Sequence, residues 1–398
     1  RGRRQGAGVL VARTVRGDSK TVVILGGGIG GVATANRLRR RLHRRHRIVL
    51  VNRDPEFTFA ASYLWVMSGQ RRASQITRPL RTLERRGIEV VIGNVTAIDP
   101  ANRAVSVDGN QIVGDYLVVS LGADYADDAI PGLREAGATF ATLSGAEQLS
   151  RSVGSLTSGR ILVVTGAPLY RCPAAPYEAA LLIDSMLRKS GRRAKVDIAI
   201  HAAEPGPMAV AGANVSAAVA AILVERNIDY QPSHQITSAE SGRVHFADGN
   251  AQEFDLLAYM PPIRSPRVIA ESTLASASGW IEADRHSLAT TFTRVYAIGD
   301  NTQTPLSIGK PLPRAGVFAH GQALVVADNI AAQVEGEPTT ASFDGKGGCF
   351  IESGFGRAGY GSGDFFAEPS PSVAVRPPSR RNHWGKVLFE YNVLRRWL

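Results

Sequence analysis

Apolar residues along this chain fall into short unbroken runs separated by segments with a helical period, the pattern of buried parallel strands covered by helices. Val22 to Leu25 reads as the first such strand, and "GGGIGGVATANRLRRRL" turns from it into an amphipathic helix. "RIVLVNRDPEF" is the next strand, Arg86–Asp99 and Arg103–Asp108 read as short strands, and Asp115–Ala123 is another. A second α/β unit starts at Ile161–Val164, continues through a helix over Ala175–Lys189 and a strand over Val196–His201, and closes at Phe254–Pro266 in a proline-rich crossover. Thr290–Asp300 is again a strand, followed by the amphipathic helix "RAGVFAHGQALVVADNIAAQV". From Phe343 onward the pattern changes: a stretch rich in glycine and aromatics precedes the apolar-and-basic segment "HWGKVLFEYNVLRRWL".

The first strand-to-helix turn carries Gly26-x-Gly28-x-x-Gly31. The first glycine makes the tight turn, the second lets backbone approach a pyrophosphate, and the third lets helix and strand pack closely. Free N–H groups at the helix start favour the phosphates. Such a fold uses the end of its next strand to hold ribose hydroxyls, and here Asn52 and Asp54 stand at that place. Gly122 marks a second close-approach turn, while Gly299 and Asp300 lie at the carboxyl end of a strand, where open α/β sheets bind ligands.

At 398 residues the chain is long enough for two or three domains, and its 44% apolar and 20% charged residues are ordinary for a globular protein. No apolar run approaches the length of a spanning helix. The net charge of +11 comes mostly from arginine, with a cluster between Arg37 and Arg47. A solvated helix face accounts for that cluster most simply; an anionic membrane surface is the sharper reading, and no nucleic-acid module accompanies it. The first twenty residues are basic and lack the apolar core of a secretory signal, so they read as a disordered lead-in.

The second unit poses a question. "ILVVTGAPLYRCPAAPYEAALLIDSML" has the strand, turn and helix of a phosphate loop, yet past Gly166 the glycines are missing and Pro168, Pro173 and Pro176 fill the turn. Backbone in such a turn cannot close on a pyrophosphate, so this unit is not expected to bind a nicotinamide. The turn holds Cys172 instead, one of only two cysteines; the other is Cys349. A helix start just beyond Cys172 and the neighbouring Arg171 are both features that favour a thiolate. Two isolated cysteines form neither a disulfide-rich scaffold nor a metal knuckle.

The motifs "GGGIGG", "DYLVVSLGA", "VYAIGD", "YRCPAAPYE" and "GCFIESG" together resemble the two-dinucleotide-fold flavoprotein disulfide reductases. Within them the chain is similar to the sulfide:quinone oxidoreductases and to the flavocytochrome c sulfide dehydrogenase flavoprotein. The resemblance implies an α/β protein with two Rossmann-like folds and a C-terminal lobe ending in an amphipathic helix. The expected divisions are residues 21–125 with 263–340 for FAD, 126–262 for the second fold and 341–398 for the lobe. It implies FAD over Gly26, Gly28 and Gly31, with Asp300 on the ribityl chain. Asn52 replaces the acid of many relatives, and Arg314 replaces a lysine before "AGVFA".

The resemblance also implies that Cys172 and Cys349 meet beside the flavin and cycle through a disulfide. Sulfide attacks that bridge, a persulfide forms at Cys172, and two electrons pass through Cys349 to the flavin. Glu178, six positions after Cys172, is the candidate acid/base group, against a plain solvated reading in the first turns of its helix. Phe350, Phe355, Tyr360, Phe365 and Phe366 offer flat surfaces for a quinone ring, or else a small aromatic core. The last helix, with Trp384, Val387, Leu388, Phe389, Tyr391, Leu394, Trp397 and Leu398 flanked by Lys386, Arg395 and Arg396, suits a membrane interface. The expectation is a membrane-peripheral enzyme, on the cytoplasmic side and open to homo-oligomerisation. A cytochrome-linked flavoprotein, a type II NADH dehydrogenase and a non-catalytic flavin sensor are the alternatives.

Overall fold

The computed structural model describes residues 19–398; the basic lead-in lies outside the described residues except for its last two positions. The first unit runs through β1 (Thr21–Leu25), α1 (Ile29–Arg41), β2 (Arg47–Asn52), the short α2 (Tyr63–Met67), β3 (Glu89–Ile92) and β4 (Tyr116–Val119). The second contains β5 (Ala138–Thr139), β6 (Gly159–Thr165), α3 (Ala175–Lys189), β7 (Val196–His201), β8 (Asp229–Gln231) and β9 (Leu256–Met260). The chain then returns to the first unit with β10 (Val295–Ala297) and α4 (Gly316–Glu335).

Each unit is built on a five-stranded parallel sheet, in the orders β10-β4-β1-β2-β3 and β5-β9-β6-β7-β8. The strands read as continuous apolar runs because both faces are covered; Val22, Val23, Ile24 and Leu25 are all fully buried. Each unit also carries a three-stranded antiparallel sheet, formed by residues 95–113 in the first and 236–253 in the second. These are two Rossmann-like folds.

Glycine makes the α1 turn possible. Gly26 sits at φ +102°, and a Cβ there would lie 2.1 Å from the Ser120 carbonyl oxygen. A Cβ on Gly31 would lie 1.8 Å from the Gly26 oxygen, so the third glycine is what lets α1 close on β1. The arginine cluster is partly structural. Arg37 pairs with Asp328 of α4 at 2.8 Å, and Arg39 donates to the Leu42, His43 and His46 carbonyls of the turn that follows the helix.

The tail, which shows no clear period, folds as the antiparallel strands β11 (Lys346–Gly354), β12 (Arg357–Asp364) and β13 (Ser372–Ser379), followed by α5 (Arg380–Asn392). Strand β11 packs on α3, which explains why α3 is buried almost all round. Its glycines give way to rings: a Cβ on Gly347 would meet Phe318 at 2.4 Å, and one on Gly348 would meet Tyr360 at 2.3 Å.

Helix α5 reverses the expected arrangement. Lys386, read from the sequence as an outward flank, is buried, and so is Glu390 one turn on; Trp384, Leu388 and Tyr391 are 67%, 59% and 52% exposed. The polar face turns inward because the protein supplies its partners. Glu390 accepts from Ser62 at 2.7 Å and pairs with Arg71 at 2.8 Å. The other apolar residues of the segment divide. Phe389 packs edge-on to Phe59, Val393 and Leu394 are buried, and Trp397 stacks on His320.

A Gly31→Ala substitution should weaken folding by about 1–3 kcal/mol, the cost of overpacking a tight contact, and should strip the protein of bound flavin. Thermal denaturation and the flavin absorbance of the purified variant measure both.

Candidate functional site

The loop after β6 and the strand β11 bring the two cysteines together, within hydrogen-bonding reach of one another and on the wall of one cavity of about 270 Å³. Cys172 has φ +56°, a left-handed conformation that a non-glycine residue holds only when its surroundings fix it. Its N–H donates to the Arg314 carbonyl at 2.8 Å, and its own carbonyl accepts from the Ala175 N–H at 2.9 Å. Cys349 stands opposite Gly361 in the β11–β12 ladder and, when protonated, donates weakly to its neighbour's carbonyl at 3.5 Å.

The expected electrostatics are corrected in one respect. Arg171 does not serve the adjacent thiol: its guanidinium pairs with Asp300 at 2.7 Å and lies over the Tyr125 ring. The Cys172 thiol is pushed up, first by donating its hydrogen to Cys349 and then by burial. Cys349 is held down by that same hydrogen bond, with Lys386 adding to the effect.

Glu178 is not solvated. It is buried, its Oε1 accepts from the Glu352 N–H at 2.9 Å and from Lys386 Nζ at 3.1 Å, and burial raises its affinity for a proton. Glu352 is itself fully buried and accepts from His383 Nδ1 at 3.0 Å. Lys386 also lies over the Trp65 ring, which carries Arg71 as a second cation. Lys386, Glu352 and His383 escaped sequence reasoning as a cluster, although Glu352 sits inside the "GCFIESG" motif.

The first unit has a cradle that fits FAD. Gly28 begins α1 with no side-chain cap, so the first N–H groups of the helix are left for an anion, and a Cβ on Gly28 or Gly122 would meet nothing within 4 Å. Asn52 does not stand free for a ribose as expected: its Oδ1 accepts from the Gly27 N–H at 2.7 Å and its Nδ2 donates to the Asp54 carbonyl, so it fixes the loop. The Asp54 carboxylate is exposed and pairs with the neighbouring Arg53 at 3.4 Å. Gly299, Asp300 and Arg314 line a small cleft at the start of α4. Arg314 is buried, donates to the Asp300 carbonyl at 2.9 Å and stacks over Trp280 at 3.9 Å, so its charge is directed into the protein.

In the second unit, the acid just past the end of β7 is Glu204, near the place where a dinucleotide fold would hold a ribose. Its carboxylate is taken by the hydroxyls of Tyr170, Tyr177 and Thr165, the last at 2.7 Å. Tyrosines from the loop and from α3 thus close the site that the missing glycines had already spoiled.

The aromatic residues do not form one pocket. Phe350 and Tyr360 pair across the hairpin with centroids 4.9 Å apart, and Gly385 of α5 leaves room for the Phe350 ring. Phe365 lies on the cavity side, edge-on to Phe318 at 5.0 Å, and Phe366 packs on Phe343. Phe355 is excluded: it sits at the hairpin tip between Lys189 and Arg226, roughly 20 Å along the strand from Cys349 at the usual rise per residue.

Comparison with known proteins follows the same lines. The pyridine nucleotide-disulphide oxidoreductase family model matches residues 20–323. The chain is 29% identical to the sulfide-quinone reductase of Aquifex aeolicus, over 94% of this chain and 90% of that protein. It is 21% identical to the mitochondrial sulfide:quinone oxidoreductase of Mus musculus, over 87% and 79%. The X-ray structure of the Aquifex aeolicus sulfide:quinone oxidoreductase superposes with a TM-score of 0.87 at 26% identity, covering 95% of this chain and 91% of that one.

Glu204→Gln should cost about 1–3 kcal/mol in urea denaturation, since three buried hydroxyls lose a charged acceptor. Bound flavin should stay at the parent level, because the residue serves the second unit.

Proposed function

The chain belongs to the pyridine nucleotide-disulphide oxidoreductase family, and we propose that within it this protein oxidises sulfide and delivers the electrons to a membrane quinone. The observation that carries the reading is the meeting of Cys172 and Cys349, far apart in sequence, on one cavity wall beside the start of α4. The similarity to sulfide:quinone oxidoreductases over nearly the whole chain supports it. FAD, the cofactor of the family, supplies a two-electron acceptor when bound over Gly26, Gly28, Gly31 and Gly122, with Asp300 and Arg314 at the α4 end.

The two sulfurs divide the work. Hydrosulfide attacks Cys172 in the oxidised pair; the Cys172–Cys349 bond breaks, a persulfide forms on Cys172, and Cys349 leaves as the thiolate carrying the electron pair. Glu178, buried and inclined to hold a proton, takes up the proton released as sulfide enters. The apolar cavity walls keep water from the persulfide.

The ring pair Phe350 and Tyr360, next to Gly385, is the candidate quinone contact, with Phe365 on the thiol side. The outward Trp384, Leu388 and Tyr391 of α5, flanked by the exposed Arg395 and Arg396, suit a membrane interface. Among the described residues no helix is long and apolar enough to cross a bilayer, so attachment through this segment is peripheral. A nicotinamide reading is disfavoured by the closed Glu204 site.

Sulfide added anaerobically should bleach the flavin, a soluble quinone should restore it, and NADH should leave it oxidised. Cys172→Ser and Cys349→Ser should each retain flavin yet lose the bleaching; full reduction in either variant refutes the two-thiol scheme. Replacing Trp384, Leu388 and Tyr391 together by Ser should abolish vesicle flotation while leaving the inward residues of α5 in place. Unchanged flotation removes the membrane role.

A further inference from the structure

Three successive residues of the loop after β6 are pinned in different directions. Tyr170 gives its hydroxyl to Glu204 of the second unit. The Arg171 guanidinium crosses to the first unit, where Nε donates to Asp300 Oδ2 at 2.7 Å. The Cys172 N–H donates to the Arg314 carbonyl at 2.8 Å, and Arg171 pairs with Arg314 in an isolated parallel bridge. Arg314 in turn donates through Nε to the Asp300 carbonyl at 2.9 Å. The carboxylate and the backbone of Asp300 are thus both joined, through one arginine each, to the turn that holds the thiol.

The chain passes between the two units at Asp124–Tyr125 and Ile263–Arg264, which pair antiparallel. Arg171 lies over the Tyr125 ring at 5.4 Å, so its side chain spans that crossing. The Asp300 side chain is 11% exposed and lines the cleft at the start of α4. Arg171 takes only its Oδ2; Oδ1 has no hydrogen-bond partner among the described residues and is left to the cleft. Cys172, at φ +56°, holds a backbone conformation that persists only where its neighbours over-determine it. The restraints that reach it from the first unit are the Arg314 carbonyl and the Arg171–Asp300 pair.

We propose that Arg171 is a positioning residue that joins the flavin site to the thiol site. By holding one oxygen of Asp300 it keeps the other toward the FAD cleft, and through the same pair it fixes the Cys172 turn. Arg171 acts by geometry and does not lend its charge to the sulfur. The proposal rests on the reading that places FAD at Asp300, but its test needs neither sulfide nor quinone.

The test measures how fast iodoacetamide alkylates each cysteine in the dithionite-reduced protein under excess FAD, by peptide mass spectrometry. Arg171→Met should free the turn and speed alkylation of Cys172 about fivefold or more. Asp300→Ala should speed it too, and the double variant should be no faster than the faster single one. Losing a cation disfavours a thiolate and losing an anion favours it, so a purely electrostatic role gives the two single variants opposite signs. Cys349, held in the β11–β12 ladder, should keep its parent rate throughout, which general loosening does not allow. Arg171→Lys, which keeps a partner for Asp300, should return Cys172 most of the way to the parent rate. In a fluorescence titration the FAD affinity of Arg171→Met should fall roughly tenfold. An unchanged Cys172 rate in folded Arg171→Met overturns the proposal, as do opposite signs in the single variants or an equal rise at Cys349. So does parent FAD affinity in Arg171→Met when Asp300→Ala has lost it. Should Arg171→Met fail to fold, Arg171→Gln takes its place, and no rise at Cys172 refutes the idea. Loss of sulfide bleaching in the parent with the alkylation pattern intact would fault the functional reading and leave this inference standing.

Discussion

One carboxylate oxygen, Glu178 Oε1, ties together the elements that carry the two cysteines. It receives a backbone N–H from β11 and the ammonium of α5, and it rides on the helix that follows the Cys172 loop. Three segments that are distant in the chain are thereby tied within one hydrogen-bonded cluster. Burial makes the arrangement demanding, because a carboxylate or ammonium without its partner in such a place is costly. The cysteines, the tail and the outer helix are fixed relative to one another for the same reason.

The second Rossmann-like unit shows how a dinucleotide site can be converted. Prolines and a left-handed cysteine occupy the turn where glycines would cradle phosphate. The acid beyond β7 keeps its place, but its hydrogen-bonding capacity is filled by tyrosine and threonine hydroxyls. The vacated volume becomes an apolar cavity with two thiols on its wall. The first unit, by contrast, keeps every glycine contact that a pyrophosphate cradle needs.

The tail connects that cavity to the outside. Its glycines leave room for Phe318 and Tyr360, and its hairpin carries Cys349 and the Phe350–Tyr360 pair on neighbouring rungs. Helix α5 lies across the hairpin with Lys386 and Glu390 inward and the Trp384 and Tyr391 rings outward. That polarity is the reverse of an ordinary surface helix, and it is stable because Glu178, Arg71 and Ser62 replace the water that Lys386 and Glu390 give up.

Much of this was legible in the chain itself. The strands, the helix over Ala175–Lys189 and the glycine turn at Gly26–Gly31 are written in local periodicity and steric need, which act over a few residues. The missing second glycine loop is legible for the same reason. What sequence could not decide is which groups meet through space. Arg171 neighbours Cys172 in the chain but pairs with Asp300; Phe355 follows Cys349 in the same hairpin but meets Lys189 of α3; Lys386 reads as a surface cation but lies buried against Glu178. Ionisation and burial are set by partners many residues away, brought close only when the two sheets, the hairpin and the last helix have packed.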